Sequence, residues 1–282
     1  MKLSQRLAIG YVQTKFKLLA LFSKKKAAEK ALDVFGTPYL KSTRKVPVKN
    51  AETIHVHLND KKVNGYRWNH PKPKKALILH GFGSAAHKFE DYAILLAEKG
   101  FEVLAFDAPA HGESEGSRTN AIEYAEMIKK VMEEFGPIQN FLAHSFGGIS
   151  LSLALEETPH NEHTRVVFIA PATETTSAVD GAFTMLKIKN EEVRSEFEKL
   201  IIKISGKEIA WFSMRRAMHN IKASILWIHD EDDDTTPWAD ALKVKEDDHS
   251  NIQFILTKGL GHRKIYHDEG VKNKVVDFIE KG

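Results

Sequence analysis

The length and composition of the chain limit the classes of protein to which it can belong. It has 282 residues, of which 42% are hydrophobic and 28% are charged, and these ordinary proportions exclude a disordered chain, a collagen-like repeat and a coiled coil. It contains no cysteine, which excludes a disulfide framework, a thiolate metal site and a cysteine nucleophile. The length fits two domains or, equally well, one α/β domain that carries an insertion.

The charge is distributed unevenly along the chain. Residues 1–30 contain eight lysine or arginine residues and one glutamate, a net charge of +7, so that the overall +3 leaves −4 for the remainder. A basic segment joined to a mildly acidic body is not typical of a protein that lies along nucleic acid. We therefore predict no nucleic-acid partner.

Residues 1–45 are predicted to form a basic, amphipathic, helical arm. Its apolar residues are interrupted by polar ones, and the run is too short for a secretory signal or a membrane-spanning helix. Two interpretations stay open. Residues 1–30 rest on an anionic membrane as a peripheral contact, or the helix packs on the body with its lysines in solvent. In either case we predict a cytoplasmic protein.

Residues 46–282 are predicted to form one α/β domain. Residues 53–68 alternate apolar and polar side chains as a hairpin does, and short apolar runs then alternate with amphipathic helices up to the last run at 252–256. This order predicts a mostly parallel, doubly wound sheet with an antiparallel edge. Residues of about 173–220 have a helical composition without a clear strand, and we expect them to form a helical cap insertion.

The most specific motif lies at residues 143–147, Ala-His-Ser-Phe-Gly, between a predicted strand and a predicted helix. A serine on such a tight turn exposes its hydroxyl, and the turn needs small residues two positions before and after it. Ala143 and Gly147 meet that requirement, although alanine replaces the glycine that is usual at the first position. Ser145 is therefore a candidate nucleophile.

A serine nucleophile needs a base, which is usually oriented by a carboxylate. Four aspartates follow the predicted strand at 225–229, and His262 follows the strand at 252–256, so both partners lie at strand ends in the expected chain order. From these residues alone the choice of acid stays open, and His267 stays an alternative base. The candidate acids are Asp230, Asp232, Asp233 and Asp234.

These motifs together resemble the α/β-hydrolase superfamily, in its serine-nucleophile, esterase- and lipase-like branch, over roughly residues 50–282. Two further segments support the resemblance: residues 80–83, His-Gly-Phe-Gly, and residues 107–114, Asp-Ala-Pro-Ala-His-Gly-Glu-Ser. The resemblance implies Ser145 as nucleophile, Asp233, four residues before a proline, as acid, and His262 as base. It also implies an oxyanion hole made by the backbone N–H groups of Phe82 and Phe146, with no cofactor and no metal.

The function expected from this resemblance is hydrolysis of a carboxylic ester with an apolar acyl chain, through an acyl-enzyme on Ser145. Acyl transfer and thioester hydrolysis use the same triad and stay open as alternatives. A non-catalytic ligand receptor on the same fold is a further alternative, since fold does not determine function.

Two other motifs predict different chemistry from the same residues. Residues 81–86 match the G-x-G-x-x-A fingerprint of dinucleotide-binding proteins, with Asp107 at the end of the next strand. This alternative leaves Ser145 and His262 without a role. The acidic run that begins at Asp230 resembles a calcium loop, but it has Thr235 where that loop needs glycine and Ala241 where it needs glutamate.

Overall fold

A computed structural model describes the backbone of residues 3–39, 42 and 47–281, and the side chains of residue 10 and of residue 13 onward within those ranges. The chain divides into two compact units. The first comprises the described residues of Met1–Thr37 with Glu174–Phe212, and the second those of Pro38–Thr173 with Ser213–Gly282. Residues 1, 2, 40, 41 and 43–45 of the predicted arm lie outside the described residues.

The described residues form eight strands and eleven α-helices. The strands are β1 (Glu52–Leu58), β2 (Lys61–Trp68), β3 (Lys75–Leu79), β4 (Glu102–Phe106), β5 (Asn140–His144), β6 (Arg165–Ile169), β7 (Ser224–Asp230) and β8 (Ile252–Thr257). The helices are α1 (Leu3–Phe22), α2 (Lys24–Gly36), α3 (Glu90–Glu98), α4 (Ala121–Phe135), α5 (Phe146–Glu156), α6 (Thr175–Met185), α7 (Glu191–Ser205), α8 (Met214–Met218), α9 (Trp238–Glu246), α10 (Gly261–Lys264) and α11 (Glu269–Glu280).

The second unit is built on one sheet with the strand order β1-β2-β4-β3-β5-β6-β7-β8. β1 and β2 form the predicted antiparallel hairpin, and β2 pairs antiparallel with β4. From β4 to β8 every neighbouring pair is parallel. The prediction of a mostly parallel sheet with an antiparallel edge is therefore confirmed.

The central strands are buried on both faces, which is why they read as continuous apolar runs in the sequence. In β3, Ala76 and Ile78 belong to a cluster that also contains apolar residues of α3 and α11. Leu77 and Leu79 alternate with them and point to the opposite face. The helices α4 and α5 pack on each other outside that cluster, so helices cover both faces of the sheet.

The first unit joins the N-terminal helices to the helices of the insertion. Its apolar cluster contains Phe16 from α1, three alanines from α2, and residues of α6 and α7 such as Phe183 and Phe197. The three alanines, Ala27, Ala28 and Ala31, are at most 2% exposed. Small side chains allow two helices to approach closely, and α2 packs along α7 in this way.

The insertion segment of the first unit, Glu174–Phe212, is shorter than the predicted insertion at about 173–220. The helix α8, which follows Phe212, packs against α5 and α9 within the second unit. Among the helices that the structure describes, none combines the length and the apolar character needed to cross a bilayer.

The packing of α2 predicts a large effect of a charge at Ala28, which is fully buried. Ala28→Asp is expected to lower the free energy of unfolding by about 3 kcal/mol, because the carboxylate enters an apolar cluster without a partner. Glu29→Asp places the same side chain at the adjacent exposed position and should leave stability unchanged. Thermal unfolding followed by circular dichroism measures both variants. Equal midpoints would show that α2 is not packed in solution.

Candidate active site

Three predicted site residues meet at the carboxyl edge of the sheet in the second unit. Ser145 directly follows β5, Asp233 lies in the loop after β7, and His262 lies in α10, just after β8. Because these strands are parallel, their carboxyl ends open on the same edge. All three side chains are buried, with 6–9% of each residue exposed.

Ser145 occupies a strained turn between β5 and α5. Its φ of 54° and ψ of −119° lie in a region that residues with a side chain rarely adopt, at a cost of about 1–3 kcal/mol. The turn is crowded because a Cβ at Gly147 would lie 2.8 Å from the carbonyl oxygen of Leu79. Gly147 must therefore be glycine, as the sequence motif predicts.

The loop after β3 also approaches this turn closely. A Cβ at Gly81 would lie 2.9 Å from both the Ser145 Cβ and the His144 Nδ1. Glycine at this position lets the backbone of Phe82 pass beside Ser145.

The hydrogen bonds of His262 connect the other two residues. Its Nε2 lies 3.0 Å from Ser145 Oγ, and its Nδ1 lies 2.8 Å from Asp233 Oδ2. In the tautomer that fits this geometry, Nδ1–H donates to the carboxylate and Nε2 accepts the serine proton. The arrangement can move a proton from Ser145 to the imidazole.

Asp233 is held as an ionised acceptor. Its Oδ1 accepts the backbone N–H groups of Thr235 and Thr236, each at 2.8 Å, and its Oδ2 accepts the Thr236 hydroxyl at 2.9 Å. Burial acts to raise the pKa of this carboxyl, but the hydrogen bond and charge of His262, together with the backbone N–H groups, outweigh it. The pKa of Asp233 is therefore lower than its ordinary value.

The neighbouring aspartates have other partners. Asp230 Oδ2 accepts the hydroxyl of Thr257 at 2.7 Å, and Asp232 Oδ2 accepts the N–H of Gly259 at 3.0 Å, so both tie the β7 loop to the β8 loop. Asp234 is exposed and bonds only to the adjacent Thr235 hydroxyl among the described contacts. Of the four candidate acids, the structure places only Asp233 against His262.

His267, the alternative base, is exposed, and its ring packs against that of Tyr266 at an angle of 40°, with centroids 4.2 Å apart. No contact between His267 and Ser145 occurs among the described residues. The structure thus brings His262 to the serine and leaves His267 at the surface.

The two candidate oxyanion donors flank Ser145. Phe146 is the first residue of α5, where a backbone N–H has no partner inside the helix, and Phe82 follows Gly81 on the β3 loop. Within the described part of the chain, neither N–H has a hydrogen-bond acceptor. Their rings pack edge to face with centroids 5.6 Å apart. Both N–H groups are thus available to bind a negatively charged oxygen.

Hydrogen bonds connect the segment that begins at Asp107 to the loop after β3. Asp107 is 1% exposed, and its two oxygens accept the N–H groups of Ala86 at 2.8 Å and Glu113 at 3.0 Å. His111 Nε2 accepts the N–H of Gly83 at 3.0 Å. A dinucleotide-binding protein would need this carboxylate to reach a ribose. Here it is buried in loop contacts, which disfavours the dinucleotide alternative.

Sequence reasoning missed the contribution of His144. This buried residue donates from Nε2 to the backbone carbonyl of His262 at 3.2 Å, while its buried Nδ1 has no partner among the described residues. Burial and the nearby His262 lower its pKa to about 3. His144 is therefore a neutral side chain that positions the backbone of His262. A polar residue within a buried strand, directly before the serine, is the signal that could have indicated it.

Thr236 is a second residue that the sequence did not single out. Its hydroxyl lies 2.9 Å from Asp233 Oδ2 and 3.1 Å from His262 Nδ1. Its carbonyl accepts from the Nε2 of the buried His229 at 2.8 Å. Thr236 thus joins the Asp233 loop to His262 and to the end of β7.

One group of metal-type ligands occurs among the described residues, at His219, Asp247 and His249, whose ligand atoms lie within 4.8 Å of one another. Arg215 already donates to both oxygens of Asp247, each at 2.7 Å. Its positive charge would repel a cation at the same carboxylate.

The lowered pKa values of two buried histidines predict that the free energy of unfolding falls in acid. Burial lowers the pKa of His80 to about 4 and that of His144 to about 3, from an ordinary 6.5. Below pH 6.5 the unfolded chain binds protons that the folded protein excludes, so stability falls between pH 6.5 and 4. The slope is about 1.4 kcal/mol per pH unit for each histidine.

His144→Gln keeps an N–H donor but removes one titrating group. The pH dependence of the free energy of unfolding should therefore lose the contribution of one histidine, about 1.4 kcal/mol per pH unit. The exposed His163→Gln control should keep the wild-type slope. Urea unfolding at a series of pH values measures the difference. A wild-type slope in His144→Gln would show that His144 is not the excluded proton site.

Comparison with known proteins agrees with this architecture. A family model described as alpha/beta hydrolase fold matches residues 77–257, more than half of the chain. The uncharacterized hydrolase YugF of Bacillus subtilis (strain 168) is 35% identical over 102 residues, which cover 34% of this chain and 37% of YugF. Monoglyceride lipase of Homo sapiens is 29% identical over 114 residues, 37% of each chain. The matched region spans little more than a third of these curated relatives.

Solved structures cover more of the chain. The esterase Pf2001 of Pyrococcus furiosus superposes with a TM-score of 0.67 at 19% identity, over 87% of this chain and 97% of the esterase. A monoacylglycerol lipase of Paleococcus ferrophilus gives a TM-score of 0.59 at 21% identity, over 78% of this chain and 98% of the lipase. At these identities the similarity shows the fold.

Proposed function

Because the chain belongs to the α/β-hydrolase fold family, we propose that it is a serine hydrolase that cleaves a carboxylic ester through an acyl-enzyme on Ser145. One observation carries the proposal: the continuous hydrogen-bonded series from Ser145 through His262 to Asp233. A binding protein has no need of a buried base between a strained serine and an ionised carboxylate, so this series disfavours a non-catalytic receptor.

The first half-reaction transfers the acyl group to the enzyme. His262 Nε2 takes the proton of Ser145 Oγ as the oxygen attacks the ester carbonyl carbon. The N–H groups of Phe82 and Phe146 bind the oxygen as its negative charge develops, and one such donor typically contributes about 3–4 kcal/mol. The C–O bond to the alcohol then breaks, and His262 returns the proton to the leaving oxygen.

The second half-reaction releases the acid. Water gives a proton to His262 Nε2 and attacks the acyl carbon, and collapse of the intermediate returns the proton to Ser145 Oγ. Asp233 stays ionised throughout and keeps Nδ1–H of the imidazole directed at its carboxylate. Its lowered pKa suits this role, because a protonated acid could not stabilise the imidazolium.

The rings beside the serine favour an apolar acyl group. Phe82 is 41% exposed although it is a large apolar side chain, and it packs on Phe146 next to Ser145. An alkyl chain could cover this exposed ring area when the ester carbonyl lies at the oxyanion donors. The monoglyceride lipase and esterase among the similar proteins support an ester of a small molecule as substrate class.

Active-site labelling with a fluorophosphonate tests the proposal. The wild type should react at Ser145, and Ser145→Ala should not. Asp233→Asn should lower kcat for a p-nitrophenyl ester by roughly 10³–10⁴, because the imidazole loses its orienting charge. The matched control, Asp234→Asn, changes the exposed neighbour and should keep wild-type activity. Undiminished labelling of Ser145→Ala would overturn the proposal, and an inactive Asp234→Asn would reassign the acid.

Chain-length preference tests the role of the Phe82 ring. Phe82→Ala retains the backbone N–H, so we expect kcat/KM for an octanoyl ester to fall about tenfold while the value for an acetyl ester stays within about twofold. Phe82→Leu, which keeps an apolar side chain, should restore most of the loss. An equal loss for both esters would show that the ring positions the oxyanion donor instead. The kcat/KM values for the corresponding thioesters are measured in parallel. Values higher than those for the esters would identify thioester hydrolysis as the main activity.

A further inference from the structure

The corner between α1 and α2 exposes three large apolar side chains. Leu18, Leu21 and Phe22 are 55%, 76% and 86% exposed. They are spaced at i, i+3 and i+4, so they lie on one face at the end of α1. The apolar cluster of this unit is built from other residues, among them Phe16 and Ala28. Among the described residues, none of these three side chains belongs to the apolar cluster of their own unit.

The same corner carries a concentrated positive charge. Lys15, Lys17, Lys25 and Lys26 are exposed, and no acidic residue occurs in residues 1–28. Among the described ion pairs, the corner makes one, from Lys24 to Glu192 at 3.9 Å.

The position of these lysines is unfavourable for the helix itself. Lys24, Lys25 and Lys26 form the first turn of α2, and no acidic residue lies in that turn. Helix N-termini favour negative charge, so lysines there weaken the helix and strengthen the attraction of the corner for anions. Local stability does not explain this placement, whereas an anionic partner does.

We infer that the α1–α2 corner, residues 15–26, is a peripheral binding surface for an anionic phospholipid bilayer. Leu18, Leu21 and Phe22 insert below the headgroups while the lysines contact the phosphates. Side chains that are three-quarters or more exposed project from the surface and form no groove for a folded partner. A fluid lipid layer accepts projecting side chains without a complementary shape. This inference goes beyond the proposed function and does not depend on Ser145.

Co-sedimentation of the full chain with vesicles tests the inference. Vesicles of phosphatidylcholine and phosphatidylserine at a 7:3 ratio should bind the protein in 50 mM NaCl. Partitioning should fall at least tenfold in 500 mM NaCl, and by a similar factor on vesicles of phosphatidylcholine alone. The Ser145→Ala protein should bind equally, which separates this test from that of the hydrolase activity.

Variants assign the binding to the corner. Leu21→Ser/Phe22→Ser should lower partitioning at least tenfold with an unchanged unfolding midpoint, since both side chains are exposed. Lys25→Gln/Lys26→Gln should lower it and flatten its salt dependence. The matched controls are Leu256→Ser, an exposed apolar residue on β8, and Lys187→Gln/Lys189→Gln, two exposed lysines of the same unit. Both should bind as the wild type does.

Three results would overturn the inference. The first is absence of binding to the anionic vesicles in 50 mM NaCl. The second is wild-type binding by Leu21→Ser/Phe22→Ser, which would place the lipid contact elsewhere. The third is self-association that this double variant abolishes, without vesicle binding, which would assign the apolar face to a second copy of the chain.

Discussion

The turn from β5 into α5 is possible only because glycine occupies two crowded positions beside it, Gly147 and Gly81. Carbonyl oxygens at the end of β3 occupy the space that a side chain at Gly147 would need, and Gly81 brings the next loop against Ser145. This crowding holds Ser145 in its left-handed conformation, 3.0 Å from His262. The loops that carry Asp233 and His262 must match the position of this one hydroxyl, so the hydrogen bonds of these loops determine whether the three side chains meet.

Buried neutral histidines supply much of that matching. His80 donates from Nδ1 to the carbonyl of Gly81 and accepts the N–H of Ala108 at Nε2, and His144 donates to the carbonyl of His262. A neutral imidazole has one N–H donor and one nitrogen acceptor, so it can bind backbone groups of the loops without placing a charge beside His262. Burial lowers the pKa values of both side chains, which keeps them neutral. No positive charge from these two side chains then opposes protonation of His262, whose imidazolium the carboxylate of Asp233 can stabilise.

The sheet and the strand ends were predictable because they depend on local patterns: apolar runs, turn residues and a serine between small neighbours. The choice of Asp233 among four aspartates was not, since it depends on which carboxylate faces a residue 29 positions away. The contact of His144 with His262 spans 118 positions, and no local pattern encodes it. The packing of α2 on α7 was likewise hidden, because alanines at helical spacing do not indicate which helix they contact.

The two interpretations of the basic arm apply to different faces of the same helices. Alanines on the inner face of α2 pack in the apolar cluster, and lysines in its first turn lie in solvent together with the exposed apolar end of α1. Packing accounts for Phe16, Ala27 and Ala31, but it accounts neither for Phe22 at 86% exposure nor for three lysines at a helix N-terminus. A structural role and a surface-binding role are therefore compatible. Packing the inner face holds the outer face in a fixed arrangement, so the apolar and charged side chains of the corner are presented together without a further cost of ordering the arm.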